Sequence, residues 1–135
     1  MGFWVLLQHT LPDATAHFDW LIDPGPGTPP WELPSDRTLV AWRLDAPPFR
    51  AGVTRCHRLP PHRRLYLAFE GYLSGNRGRV DRLASGWGRV RTDTPYAFDA
   101  ELFWGGRPAR AVATPVAPGC WQFRVERDPG EAPAR

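Results

Sequence analysis

Glycine and proline interrupt this chain so often that no stretch beyond about ten residues keeps a clean 3.6-residue apolar period. With 13 glycines and 16 prolines among 135 residues, the sequence argues against long helices. What remains between the breakers reads as short strands. Residues 3–8 form the first, ending at His9 and a turn through Pro12-Asp13. Residues 17–22 alternate, with His17, Asp19 and Leu21 on one face and Phe18, Trp20 and Ile22 on the other. A proline-rich loop, 23–36, separates them from a strand at 38–44 around Trp42. Pro60-Pro61 can open a helical turn through His62 to Tyr66, after which 65–72 returns to a strand.

Further strands are expected at 79–83, 87–91, 100–104, 111–115 and 120–125, between glycine-containing turns. The fold class is therefore mainly β, a small closed or nearly closed antiparallel barrel of about eight short strands with at most short helical turns. A chain of this length supports one domain. Residues 1–127 are assigned to it, and 128–135 read as a frayed tail.

All of the positive charge is arginine, because the sequence contains no lysine. A Walker lysine, a Schiff base and the lysyl-adenylate of a ligase are thereby excluded. Ten arginines fall within 50–91 against only Glu70 and Asp81, a balance of +8 that leaves −5 for the remainder. Guanidinium forks in that density suit a nucleic-acid or phosphorylated partner, although a solvated face would look the same. Cys56 and Cys120 stand far apart with no metal-ligand spacing, so free thiols are expected. The apolar run 3–7 is too short for a signal segment, and a cytoplasmic monomer without membrane contact follows.

On a strand, His17 and Asp19 present an imidazole and a carboxylate to one side, and His9 can join them across the turn. Two imidazoles and a carboxylate leave open positions on a divalent ion, although a surface pair on a half-buried strand has the same spacing. His62 and Tyr66, four apart, can touch one phosphate; a packed tyrosine with a turn-capping histidine is the plainer alternative. The glycine-rich turn 74–78 can make an anion nest, but reads first as a hairpin connection. Trp4, Trp20, Trp42, Trp87, Trp104 and Trp121 fall on expected strands and suit core packing. Base stacking by Trp31 or Trp87 is the minority alternative.

Taken in order, these pieces resemble the 3′-phosphoesterase domain of bacterial DNA ligase D and its small stand-alone relatives. The residues that carry the resemblance are Gln8-His9, His17-Phe18-Asp19, Leu39-Val40-Ala41-Trp42, His62 with Tyr66, and Phe69-Glu70-Gly71. Gly75, Gly78 to Val80, Gly86 and Trp121 follow, so the match spans nearly the whole chain. The resemblance implies a β-barrel enzyme that uses manganese, or zinc or cobalt, to trim DNA 3′ ends. It implies removal of a terminal ribonucleoside and then of the 3′-phosphate, in DNA repair with separate end-joining ligase or polymerase proteins as partners. By position it makes His9, His17 and Asp19 metal ligands and gives His62 and Tyr66 the catalytic contacts to phosphate.

The family places a phosphate-binding arginine two residues after the aspartate, where this chain has Leu21, and its turn between the two histidines is shorter. Loss of such a bidentate contact costs on the order of 10²–10³ in rate. Arg55, Arg63 and Arg77 are the candidate replacements for phosphate and nucleic-acid binding. Two other functions stay open, a nucleic-acid-binding barrel with impaired chemistry and a phosphoesterase for a small phosphorylated metabolite.

Overall fold

The computed structural model describes residues 2–24, 37–48 and 53–127; most of the proline-rich loop with Trp31, Arg50 and the expected tail lie outside them. Among the described residues nine strands are formed: β1 (Gly2–Thr10), β2 (Ala16–Ile22), β3 (Leu39–Leu44), β4 (Val53–His62), β5 (Gly71–Tyr72), β6 (Arg79–Thr94), β7 (Ala97–Trp104), β8 (Arg107–Ala117) and β9 (Cys120–Arg127). Pairing runs β1-β2-β3-β4-β9-β8-β7-β6, antiparallel throughout, and β6 returns to β1 to close an eight-stranded barrel. Closure pairs the β1 edge of the sheet with β6 instead of leaving it open. Short β5 pairs with the first residues of β6 as a ninth strand.

Alternation along each strand divides the side chains between two apolar clusters. Trp4, Leu6, Trp20, Ile22, Trp42 and Leu44 from β1 to β3 point into the barrel, where they meet Phe98, Ala100, Ala111, Ala113 and Phe123. Large indoles on one wall are thus accommodated by alanines on the other, which fills a narrow barrel without overpacking. Ring contacts of 5.1–5.3 Å join Trp20 and Trp42 to Phe123, and Trp42 to Phe98. The opposite faces of the same strands carry Val5, Leu7, Leu21, Leu39 and Ala41, which form a second cluster outside the barrel with Leu67 and Val80.

Several local expectations are corrected. The segments 79–83 and 87–91 are one strand, because Gly86 is not a turn. A Cβ at that position would collide with the Phe103 carbonyl oxygen and crowd the Trp4 indole, so glycine there permits close packing within the ladder. β4 was hidden by its arginines and prolines, yet Thr54 and Cys56 are buried while Arg55 is exposed, as a half-buried strand requires.

Pro60-Pro61 close β4 beside a register shift against Leu39 and Ala41 rather than opening a helix, and the 3-10 turn spans Arg64–Leu67. Of the strand expected at 65–72, only Gly71–Tyr72 pairs. The run before it covers the outer cluster instead, with Leu67 buried and Tyr66 and Phe69 packed alongside. Both cysteines are free, and burial pushes the Cys56 thiol up to about 12, which suits an inert core position. Among the described residues no helix is long and apolar enough to cross a membrane.

Candidate metal centre

In the β1–β2 ladder His9 stands opposite His17 and Leu7 opposite Asp19, on the outward faces of both strands. Register therefore achieves what sequence spacing alone left open. Ligand atoms of His9, His17 and Asp19 all lie within 4.8 Å of one another. His9 Nδ1 is 3.1 Å from His17 Nε2, and His17 Nε2 is 3.6 Å from Asp19 Oδ1. Ligands about 2.1 Å from a shared ion stand about 3.0–3.4 Å apart at tetrahedral or octahedral angles; the His9–His17 separation falls in that range and the His17–Asp19 separation lies just beyond it.

The donors are also poised chemically. His9 Nε2 is 2.7 Å from the Arg77 carbonyl oxygen, which can only accept; that nitrogen carries the proton, and Nδ1 of a neutral ring presents its lone pair to the cluster. Gly78 makes the contact feasible. Its φ of +94° suits glycine, and a Cβ would collide with the Thr10 carbonyl oxygen, so only glycine lets the turn press against the end of β1. Asp19 is 7% exposed, and its Oδ1 makes no hydrogen bond; at 3.6 Å and 3.7 Å, His17 and Arg43 are electrostatic neighbours only. A buried carboxylate oxygen in that state fits a cation. Burial, followed by the nearby Arg43 charge, holds the His17 pKa below its ordinary value against the pull of Asp19, which favours the neutral, ligating imidazole.

Beside the cluster a cleft of about 240 Å³ is lined by His9, Asp19, Arg43, His62, Tyr66 and Arg77, with Leu7, Leu21 and Val80 as apolar parts of its wall. His62 enters from the end of β4. Its Nδ1 donates to the Pro60 carbonyl at 2.9 Å, which leaves Nε2 for other partners. The 3-10 turn supplies Tyr66, whose ring centroid is 6.3 Å from that of His62. A buried ion pair anchors this turn, Arg64 Nη2 lying 3.0 Å from Asp23 Oδ2. Glu70 accepts the Arg82 backbone N–H at 2.8 Å, tying the chain after the turn to β6.

Arg63 and Arg77 reach the cleft, whereas Arg55 lies opposite Gln122 in the β4–β9 ladder and does not line it. Leu21, fully buried, belongs to the outer apolar cluster. Sequence reasoning missed Arg37 and Arg43, both on the cleft wall. An outward Arg43 follows from an inward Trp42, but its position opposite Asp19 depends on a register that only the folded ladder supplies. Comparison with protein-family models and with curated proteins gives no match to this chain.

Proposed function

We propose that the protein is a divalent-metal-dependent phosphoesterase that processes nucleic-acid 3′ ends, removing a 3′-phosphate or a 3′-terminal ribonucleoside in DNA repair. The observation that carries the reading is the convergence of His9, His17 and Asp19 beside a basic cleft that also receives His62 and Tyr66. The ordered resemblance to the ligase D phosphoesterase domain supplies the substrate class and the preference for manganese, with zinc or cobalt compatible with the same donors.

A bound divalent ion would act as a Lewis acid on a phosphoryl oxygen. The chain's own residues account for the rest. The Arg77 carbonyl fixes the His9 tautomer, and the ladder fixes the separation of the two imidazoles. In its imidazolium form His62 can give the Nε2 proton to a phosphate or leaving-group oxygen, its Nδ1–H staying on the Pro60 carbonyl. The Tyr66 hydroxyl can donate a hydrogen bond to the same group, and the leucines of the wall lower the local dielectric.

The test is turnover of a 3′-phosphorylated primer by the purified protein with Mn²⁺. Wild type is expected to leave a 3′-hydroxyl, and His17→Ala to abolish the reaction. Absence of wild-type turnover on both phosphate-ended and ribonucleotide-ended primers would defeat the proposal. A second reading, a barrel that binds nucleic acid without cleaving it, is favoured by one observation, the buried leucine at position 21. Salt-dependent DNA binding indifferent to metal and to the 3′ end would support that alternative.

A further inference from the structure

Arg37, Arg43, Arg63 and Arg77 all line the cleft, but they are engaged differently. Arg77 donates Nε to the Ser74 carbonyl at 2.7 Å and Nη2 to the Ser74 hydroxyl at 3.0 Å, so its fork closes the turn that carries it. Arg43 stands directly opposite Asp19 in the β2–β3 ladder, 44% exposed, with Nε 3.7 Å from Asp19 Oδ1. That distance is long for a hydrogen bond but short for Coulomb attraction. Asp19 thus holds the guanidinium at the cleft wall without consuming its donors. On β2 the next outward residue is Leu21, fully buried, so the strand bearing Asp19 offers no cation of its own there.

We infer that Arg43 is the anion-holding residue of this site, its planar fork taking two oxygens of a phosphate group seated beside His9, His17 and Asp19. The assignment rests on the phosphoesterase reading and adds a residue from the neighbouring strand to it. Geometry selects an arginine for the task, because two parallel N–H donors match two phosphate oxygens and a lysine ammonium does not. The ligand is a phosphate group, whether terminal on a polymer or part of a small ester.

Inorganic phosphate titrated into the full chain tests the inference, followed by calorimetry and by the NMR signals of the arginine Nε–H groups. The signal missing from Arg43→Gln is expected to shift saturably in the wild type. Phosphate affinity should fall about 10- to 100-fold in Arg43→Gln, and Arg43→Lys should recover only part of it. Affinity in Arg43→Gln within twofold of the wild type overturns the inference. So does an unmoved Arg43 signal, a wild type that binds no phosphate, or a loss found in Arg37→Gln instead. Phosphate binding through Arg43 without turnover of DNA ends upholds this assignment while removing the DNA-end reading. Turnover with an unmoved Arg43 signal does the reverse.

Discussion

On the wall of the barrel built by β6, β7 and β8, Arg89 and Arg91 both close on Glu101 at 2.9 Å, and Arg110 closes on Asp99 at 2.7 Å. Around the cleft over β1, β2 and β3, Arg43 faces Asp19 at 3.7 Å, and Arg77 spends its donors on a serine. The same residue type thus has two roles on one outer surface. On the first wall cross-strand carboxylates neutralise it, and Arg89 beside Glu101 holds that carboxyl below its usual range. At the cleft the acids are few, and the one that faces Arg43 belongs to a candidate metal cluster. A +8 segment is consequently a poor guide to a binding face. Arg58, Arg64, Arg79, Arg89 and Arg91 all fall within it and all have acidic partners.

One pair sits between these two cases and gives the largest expected effect. Arg64 and Asp23 are buried, their side chains 5% and 6% exposed, and they tie the 3-10 turn to the end of β2. Asp23→Asn leaves a guanidinium buried beside a neutral amide, so urea denaturation should show a loss of about 3–5 kcal/mol. Turnover should fall as well, since the turn carries Tyr66 into the cleft. An unchanged denaturation midpoint would class this pair with the exposed ones and remove the argument that it anchors the site.

Much of the barrel was legible in sequence because its cause is local. The alternation of His17 to Ile22 places Trp20 inside and Asp19 outside, and the structure keeps that division. Strand β4 was not legible, since Arg55 points to solvent, Arg58 lies over the rings of Trp42 and Phe98, and its two prolines resemble a helix start. The run from Leu65 to Phe69 misled for the opposite reason. Its apolar residues cover an outer cluster that exists only after the barrel closes. The candidate site divides similarly. The shared face of His17 and Asp19 was readable from strand spacing, whereas the pairing of His9 with His17 and the place of Arg43 become visible only through cross-strand register.

A smaller effect comes from pH, and it sharpens the contrast at the cleft. Metal uptake requires neutral imidazoles, and burial holds the His17 pKa below the ordinary histidine value of about 6.5. The His17 part of the pH dependence of Mn²⁺ affinity should therefore begin at a lower pH than for a free imidazole, with about a tenfold drop per pH unit for its one displaced proton. The fold follows the same direction. Unfolded His17 takes its proton at a higher pH than the folded residue, so its contribution to stability is complete above about pH 6.5 and is lost as pH falls toward the folded pKa. Arg43→Gln removes a charge that depresses His17, and calorimetry across pH 7.5 to about 5 should show the drop beginning at higher pH. A pH profile identical to that of the wild type would mean that Arg43 does not act on the cluster electrostatically.

The smallest expected effect lies on the neutralised wall. Glu101 is half-exposed between Arg89 and Arg91, where water and salt screen each pair, so Glu101→Gln should leave the denaturation midpoint and the Mn²⁺ affinity unmoved. DNA binding is the more searching measurement, because the substitution releases two forks that the carboxylate now holds. If nucleic acid contacts only the cleft, affinity and its salt dependence stay at the wild-type values, which is the expected result. Tighter binding with a steeper salt dependence would show that these arginines reach phosphate once uncovered. Glu101 would then act as a guard that keeps a second basic wall from competing with the cleft, and the contrast between the two surfaces would lie in one carboxylate rather than in the strands that carry them.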